Sequence, residues 1–271
     1  MTVSSQCPGP VPLDGVAYRC YRQGLRCLLE AKLPFLVGGA YALEGYTGIR
    51  RETKDLDLFV YPQDRDRVIE VLGEAGFQTD HCFPHWLSKA VYGDHFIDIV
   101  FNSGNGLCPV DDEWFDHALD REVLGMPVLV CPVEEMIWSK AYVQERERYD
   151  GADIAHILRT CAARLAWPRL IRRFGEHWPL LLSHLILFGF IYPAERDRIP
   201  EWVMRELLYR LERSLEREPP PERICRGTLI SREQYLTDLM EWGYEDARLL
   251  PRGRMTRTEI AHWTAAIGEK R

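Results

Sequence analysis

The sequence predicts a mixed α/β (α+β) fold, with a mixed, mostly antiparallel sheet flanked by helices and then an all-helical C-terminal domain. Strand-forming segments alternate with helical ones up to about residue 131, whereas the composition from residue 132 onward is typical of helices. A chain of 271 residues, 46% of them apolar, is long enough for two cores. We therefore expect an α/β domain at residues 1–131 and a helical domain at residues 132–271.

The first predicted elements are a helix and a short buried strand. Residues 13–31 have the apolar spacing of a helix, which Pro34 ends, and the apolar residues 35–37 predict a strand. Gly38 and Gly39 lead from this strand into a second helix. Backbone amides at a helix N-terminus bind anionic oxygens, and glycine lets those oxygens approach closely. The turn therefore predicts a phosphate-binding site.

Two carboxylates lie in the next predicted strand. Asp55 and Asp57 are two residues apart in an apolar run, so their side chains project from the same face of a strand. Like charges this close raise each other's pKa unless a cation lies between them, and hard oxygen ligands favour Mg²⁺. The alternative is a solvated Asp-x-Asp at a strand edge. The adjoining glycine turn favours the metal site.

A third carboxylate lies in a later strand. A helix at residues 65–74 precedes three predicted strands, at residues 77–83, 86–92 and 95–101. The tight turn at Gly93 and Asp94 makes an antiparallel ladder that brings Asp98 opposite the earlier pair. A lone carboxylate in so apolar a strand needs a partner: a metal, a base or a hydrogen-bond donor. The alternative for Asp98 is a purely structural hydrogen bond.

The rest of the chain is predicted from helix signals. A last short strand at residues 126–130 is followed by a helix at residues 133–148, which begins after Pro132. Further helices are predicted at residues 153–165, 168–174, 179–190 and 200–215, and, beyond the break at Pro219-Pro220-Pro221, at residues 231–242 and 256–267. The helix at residues 231–242 begins with a capping box formed by Ser231 and Gln234.

These motifs resemble the signature of the polymerase-β-type nucleotidyltransferase superfamily. The resemblance rests on Gly38-Gly39, on Arg51-x-Thr53-Lys54-Asp55-Leu56-Asp57 and on Asp98. It is similar to the small bacterial branches: the minimal, the abortive-infection toxin-like and the antibiotic nucleotidyltransferases. It covers roughly the first half of the chain, and it implies that residues 1–131 form a nucleotidyltransferase catalytic domain.

The resemblance implies a site for two Mg²⁺ ions and an NTP substrate such as ATP. Asp55 and Asp57 would ligate both ions, and Asp98 would complete the shell of the catalytic ion and could help to deprotonate the acceptor. The candidate nucleotide-binding residues are Gly38, Gly39, Arg51, Lys54 and Lys140. Alternatively, Arg51 and Lys54 merely offset the carboxylates, and Lys140 lies on the exposed face of an amphipathic helix.

The implied activity is Mg²⁺-dependent transfer of an NMP from an NTP to a hydroxyl acceptor, with release of pyrophosphate. The acceptor is either RNA, such as a tRNA end, as in the toxin branch, or a hydroxylated small molecule, as in the antibiotic branch. The net charge of -7 favours the small molecule, whereas the chain length and Lys140 favour RNA. The alternative is a catalytically silent member that binds a nucleotide or a partner protein. A toxin–antitoxin role would add a cognate neutralising protein, whose existence the sequence leaves open.

The sequence also predicts the compartment. Its eight cysteines form no Cys-x-x-Cys pair, and the first residues lack an apolar signal core. The apolar stretch at residues 178–192 is shorter than the roughly 20 residues of a membrane span and predicts a buried helix. We expect a cytoplasmic protein with reduced thiols and no membrane partner.

Overall fold

A computed structural model of the chain describes residues 15–51 and 53–265. In chain order its elements are α1 (Gly15–Glu30), β1 (Leu36–Val37), α2 (Gly39–Thr47), β2 (Asp55–Phe59), α3 (Arg65–Glu74), β3 (Gln78–Phe83), β4 (Leu87–Tyr92), β5 (His95–Val100), α4 (Asp112–Asp116), β6 (Leu119–Val123), β7 (Met126–Val130), α5 (Val133–Ala141), α6 (Gly151–Cys161), α7 (Trp167–Phe174), α8 (Trp178–Ile191), α9 (Glu201–Leu215), β8 (Ile224–Cys225), α10 (Leu236–Met240), β9 (Glu245–Asp246) and α11 (Arg257–Ala265).

Seven strands form one mixed sheet, in the order β3-β4-β5-β2-β1-β7-β6. The neighbours β3–β4, β4–β5, β2–β1 and β7–β6 are antiparallel. The pairs β5–β2 and β1–β7 are parallel. The predicted mixed, mostly antiparallel sheet is confirmed. Strand β6 was not predicted from the sequence, because most of its side chains are exposed and it lacks an apolar alternation.

The alternating pattern of β2 gives the sheet two different faces. Leu56 and Leu58 are fully buried, and they lie beside Ile97 and Ile99 in the register of β2 with β5. This apolar face packs against α1, where a Cβ at Gly24 would lie only 2.3 Å from the side chain of Ile97. Because successive residues of a strand point to opposite faces, the aspartates of β2 and β5 project from the other face.

The hydrophobic core continues from the sheet into the helices that follow it. One cluster of buried side chains includes Leu56 of β2, Ile137 of α5 and Phe188 of α8. The hydroxyl of Tyr46 in α2 donates a hydrogen bond to the carbonyl of Cys131, with 2.7 Å between the oxygens. The predicted boundary after residue 131 falls in the short connection between β7 and α5.

The second half is helical, as predicted, with differences at three places. Helix α5 ends at Ala141 and does not reach residue 148, because the backbone N–H of Gln144 donates to Ile230 and the chain turns back. The predicted helix at residues 231–242 is reduced to α10, although Ser231 accepts the hydrogen bond of a capping residue from Gln234 N–H at 3.2 Å. The short strands β8 and β9 pair in parallel beside it. Residues 13–14 and 266–267 of the predicted terminal helices lie outside the described residues.

The C-terminal segment packs back onto the sheet through a buried arginine. Arg248 has no exposed surface and forms an ion pair with Asp246, at 2.6 Å between Nη2 and Oδ2. Its guanidinium also lies 5.6 Å from the ring centroid of Trp263 in α11. Trp263 in turn packs against the buried cluster around Val100 at the end of β5. Helix α11 therefore lies on the same side of the sheet as the aspartates.

Within the described residues, one run, Trp167–Ile191, has the length and apolar composition of a membrane span. A 3₁₀ turn at Gly175–His177 divides it into α7 and α8. Helix α8 buries Leu181, Leu185 and Phe188 in the common core. Core helices of this kind pass the same test of length and composition, so the run is weak evidence for a span.

A buried ionic cluster joins α5 to α7. Arg169 is only 7% exposed and contacts both Glu134 and Glu135, which are 4% and 0% exposed. Arg173 also reaches Glu135, at 3.2 Å, and pairs with Asp111 at 2.6 Å. Removing one member of such a cluster leaves a buried charge without its partner, which costs far more than losing an exposed ion pair.

We therefore expect Arg169→Met to lower the free energy of unfolding by about 3–5 kcal/mol. Urea denaturation followed by circular dichroism measures this change. The matched control is Arg205→Met, which removes an exposed ion pair with Glu201 and should cost less than about 1 kcal/mol. Equal losses for the two variants would contradict a structural role for the cluster.

Candidate functional site

The parallel pairing of β2 with β5 brings three predicted carboxylates together. Asp57 lies directly beside Asp98 in the register of the two strands, and Asp55 lies two residues before Asp57 on the same face. One carboxylate oxygen from each of the three lies within 4.8 Å of the other two. Among the described residues, this is the only group of three acidic, cysteine or histidine side chains close enough to share a metal ion.

Crowding changes the protonation of the middle carboxylate. Burial, and then the negative charges of Asp55 and Asp98, raise the pKa of Asp57 from 3.8 to about 7. Lys140 and Arg148 act in the opposite direction and lower the pKa of Asp57 without offsetting the rise. A divalent cation among the three carboxylates would offset their negative charges and so favour the ionised form of Asp57.

The glycine turn is shaped around this carboxylate. The backbone N–H of Gly38 donates to the carbonyl of Asp57 at 2.9 Å, which joins the turn to β2. Gly39 begins α2 with a φ of +52°, in the left-handed region that favours glycine. A Cβ at Gly39 would lie 1.7 Å from Oδ2 of Asp57. Glycine is required here because the carboxylate fills the space that a side chain would occupy.

The cation Lys140 lies at the end of α5, within a pair of acidic residues. Its Nζ is 2.9 Å from Oδ2 of both Asp150 and Asp153. Burial lowers the pKa of Lys140, but the two carboxylates outweigh burial and raise it overall. Arg148 pairs with Asp150 at 3.3 Å, and Arg51 pairs with Asp153 at 2.5 Å. Because α5 ends at Ala141 and the chain turns back, Arg148 lies near enough to Asp57 to lower its pKa, as Lys140 does.

The predicted nucleotide-binding residues fall into three positions. Gly38 and Gly39 form the turn in contact with Asp57. Arg51 and Lys140 meet through their shared partner Asp153. Lys54 is exposed beside the site, where it directly precedes Asp55.

The residues predicted from the sequence did not include two cations at the site: Arg148, whose charge lowers the pKa of Asp57, and Lys89 of β4. Its Nζ lies 2.7 Å from Oδ1 of Asp98 and 3.9 Å from the ring centroid of Phe96. The signal for it was available. A two-residue turn at Gly93 and Asp94 pairs Tyr92 with His95, and counting back along that register pairs Lys89 with Asp98.

The donor set fits a hard divalent cation. All three candidate ligands are carboxylates, and oxygen ligands of this kind suit Mg²⁺, which is commonly bound by only one or two of them together with waters and substrate phosphates. Thr53 donates a hydrogen bond to the carboxylate of Asp55, which orients one of the three groups. Of the nearby cations, Lys89 pairs with one of the three carboxylates, Asp98, whereas Lys140 pairs with Asp150 outside the group.

The sequence matches no family model and no curated protein. The solved structures similar to this chain include nucleotidyltransferases. The solution structure of the antibiotic-resistance factor ANT(2'')-Ia is 18% identical, with a TM-score of 0.46, covering 64% of this chain and 98% of that chain. The lincomycin-bound lincosamide antibiotic adenylyltransferase LnuA is 16% identical, with a TM-score of 0.38, covering 51% and 92%. A putative nucleotidyltransferase from Helicobacter pylori is 14% identical, with a TM-score of 0.36, covering 76% and 100%.

We expect Gly39→Ala to weaken divalent metal binding by about tenfold or more, because the added methyl group must displace the Asp57 carboxylate. Mn²⁺ titration followed by electron paramagnetic resonance measures the affinity. Gly45→Ala is the matched control, since it lies in the same helix with open space around its Cβ position. Comparable Mn²⁺ affinities in the two variants would show that the turn does not shape the site.

The raised pKa of Asp57 gives the metal-free protein a specific pH dependence. Because the folded-state pKa of about 7 lies above the ordinary 3.8, the folded protein holds a proton that the unfolded chain releases. The associated stability is fully present below about pH 4 and is lost as the pH rises through 7.

Mg²⁺ should therefore raise the thermal midpoint more at pH 8, where it replaces the lost proton, than at pH 5.5. Calorimetry with Mg²⁺ or with EDTA at both pH values tests this. Asp57→Asn should remove most of the difference between the two pH values. An equal Mg²⁺ effect at pH 5.5 and pH 8 in the wild-type protein would contradict the account.

Proposed function

We propose that this protein is a Mg²⁺-dependent nucleotidyltransferase that moves an NMP from an NTP to a hydroxyl acceptor and releases pyrophosphate. The observation that carries the proposal is the group of three carboxylates, from two parallel strands, within 4.8 Å of one another beside the glycine turn. Phosphoryl transfer depends mainly on positioning and on electrostatic stabilisation, and such a group can supply both through bound cations.

Asp55 and Asp57 would hold both of two Mg²⁺ ions, and Asp98 would hold the catalytic one. Bound Mg²⁺ would supply Lewis-acid stabilisation of the charge on the reacting phosphate. Asp98 would also accept a proton from the acceptor hydroxyl. The parallel register supports a shared role for Asp57, because it lies between Asp55 on its own strand and Asp98 on the neighbouring strand.

The nucleotide phosphates would lie at the start of α2. The turn at Gly38 and Gly39 presents the N-terminus of a nine-residue helix directly beside Asp57. Backbone amides and the helix dipole favour phosphate oxygens at such a position. Lys140 and Arg148 would offset the triphosphate charge from the side of α5, and Arg51 and Lys54 would do so from the loop before β2. Asp150 and Asp153 hold three of these cations, Lys140, Arg148 and Arg51, in place before the nucleotide binds.

The acceptor would bind between the catalytic domain, residues 1–131, and the helical domain, residues 132–271. Two acceptor classes are tested, an RNA such as a tRNA end and a hydroxylated small molecule. The net charge of -7 supports the small molecule, because RNA binding depends on clustered positive charge. A cytoplasmic location suits either acceptor, and a neutralising partner protein belongs with the RNA-modifying alternative.

The test is transfer of label from an NTP. The protein is incubated with Mg²⁺ and each α-labelled NTP in turn, with either total tRNA or a panel of hydroxylated antibiotics. We expect label on one acceptor class, and we expect Asp57→Asn to reduce the rate at least about 10³-fold, because it removes one of the two carboxylates that both ions would share. Arg205→Met, an exposed substitution on α9, should retain wild-type transfer.

The outcomes separate the alternatives. Transfer by Asp57→Asn at the wild-type rate would exclude this site. Nucleotide binding seen by calorimetry, without transfer to any acceptor, would support a catalytically silent nucleotide-binding protein. Labelled tRNA with unlabelled antibiotics, or the reverse, would identify the acceptor class.

A further inference from the structure

The sheet carries a row of four charged residues across the proposed metal site, in which one lysine lies among three aspartates. Lys89 of β4 lies between Asp80 of β3 and Asp98 of β5 in the strand registers, and Asp98 lies beside Asp57 of β2. The Lys89 and Asp98 side chains are only 18% and 14% exposed. Their ion pair is therefore better shielded from solvent than most surface pairs, and it belongs to the rigid centre of a β-hairpin.

The Lys89 ammonium and a metal ion would use the same carboxylate. Nζ of Lys89 lies 2.7 Å from Oδ1 of Asp98, which is a hydrogen-bonding distance for an ion pair. A cation that ligates Asp98 would sit within a few Å of this ammonium and be repelled by it. In this same position Nζ lies 3.9 Å from the ring centroid of Phe96, so a cation–π contact also stabilises the ammonium there.

We propose that Lys89 is a positioning residue that sets the metal affinity of Asp98. Its ammonium holds the carboxylate in place in the metal-free protein and competes with the incoming cation, which keeps the affinity for free metal low. An NTP brings further negative charge, and that charge favours the metal over the ammonium. This inference rests on the proposed function, because it assumes that Asp98 ligates a divalent cation.

The test measures Mn²⁺ binding without nucleotide, by electron paramagnetic resonance, in a double-mutant cycle. We expect Lys89→Met to lower the Kd for Mn²⁺ by about tenfold, since it removes a repelling unit charge at short range. Lys89→Arg keeps the positive charge and should therefore bind Mn²⁺ more weakly than Lys89→Met. In an Asp98→Asn background, Lys89→Met should change the Kd by less than about twofold, because the shared ligand is gone.

Two controls separate this role from a structural one. Lys32→Met removes a charge from an exposed turn before β1 and should leave Mn²⁺ binding unchanged. Thermal unfolding with and without Mn²⁺ provides the second control. If Lys89 has only a structural role, Lys89→Met should lower the midpoint by the same amount with and without Mn²⁺. If Lys89 competes with the metal, Mn²⁺ should raise the midpoint of Lys89→Met more than that of the wild type.

The outcomes distinguish the inference from the function it rests on. If the wild-type protein binds Mn²⁺ and Lys89→Met binds it no more tightly, the inference about Lys89 is wrong and the proposed metal site stands. If neither protein binds Mn²⁺, both the inference and the proposed metal site are wrong. If only Lys89→Met binds measurably, the competition is stronger than stated and the inference is supported.

Discussion

Electrostatic repulsion between Asp57 and Asp98, side by side on two parallel strands, is the constraint around which the site is organised. The strand register fixes their separation, because a shift of one residue would turn one of them into the apolar core. The protein therefore cannot relieve the repulsion by moving the carboxylates apart. Burial, and then the charges of Asp55 and Asp98, raise the pKa of Asp57, and cations from β4 and α5 lie around the group.

The surrounding cations are themselves held by carboxylates. Lys140 lies between Asp150 and Asp153, and Arg51 approaches Asp153 from the loop before β2. A buried lysine without such partners would lose its proton more readily, since burial disfavours the charged form. The acidic partners thus keep Lys140 charged near the site, where its field acts on Asp57. The same arrangement leaves the net charge of this cluster low until an anionic ligand binds.

Much of this arrangement could be predicted from the sequence, and the exceptions have physical reasons. Asp55 and Asp57 were predicted to share a face because a strand has a period of two. The hairpin turn at Gly93 and Asp94 was expected to bring Asp98 opposite them, and Asp98 lies beside Asp57 through the parallel pairing of β5 with β2. The end of α5 could not be predicted, because residues 142–148 contain neither glycine nor proline and favour a helix. A tertiary hydrogen bond from Gln144 to Ile230 overrides that preference. The Lys89 pair was accessible from the hairpin register, which the turn at Gly93 fixes.

The continuity of the core explains how residues far apart in sequence can form one site. The carbonyl of Cys131, at the connection between β7 and α5, accepts the hydrogen bond of the Tyr46 hydroxyl. The Sγ of Cys131 lies against the glycine turn, 3.3 Å from where a Cβ at Gly38 would be. The glycine turn, the start of α5 and the sheet therefore share contacts at one point. Since protein interiors are close-packed, a shift of α5 would displace these neighbours as well. The distance between Lys140 and Asp57 is thus set by packing, so the charge balance at the carboxylates depends on the same core that stabilises the fold.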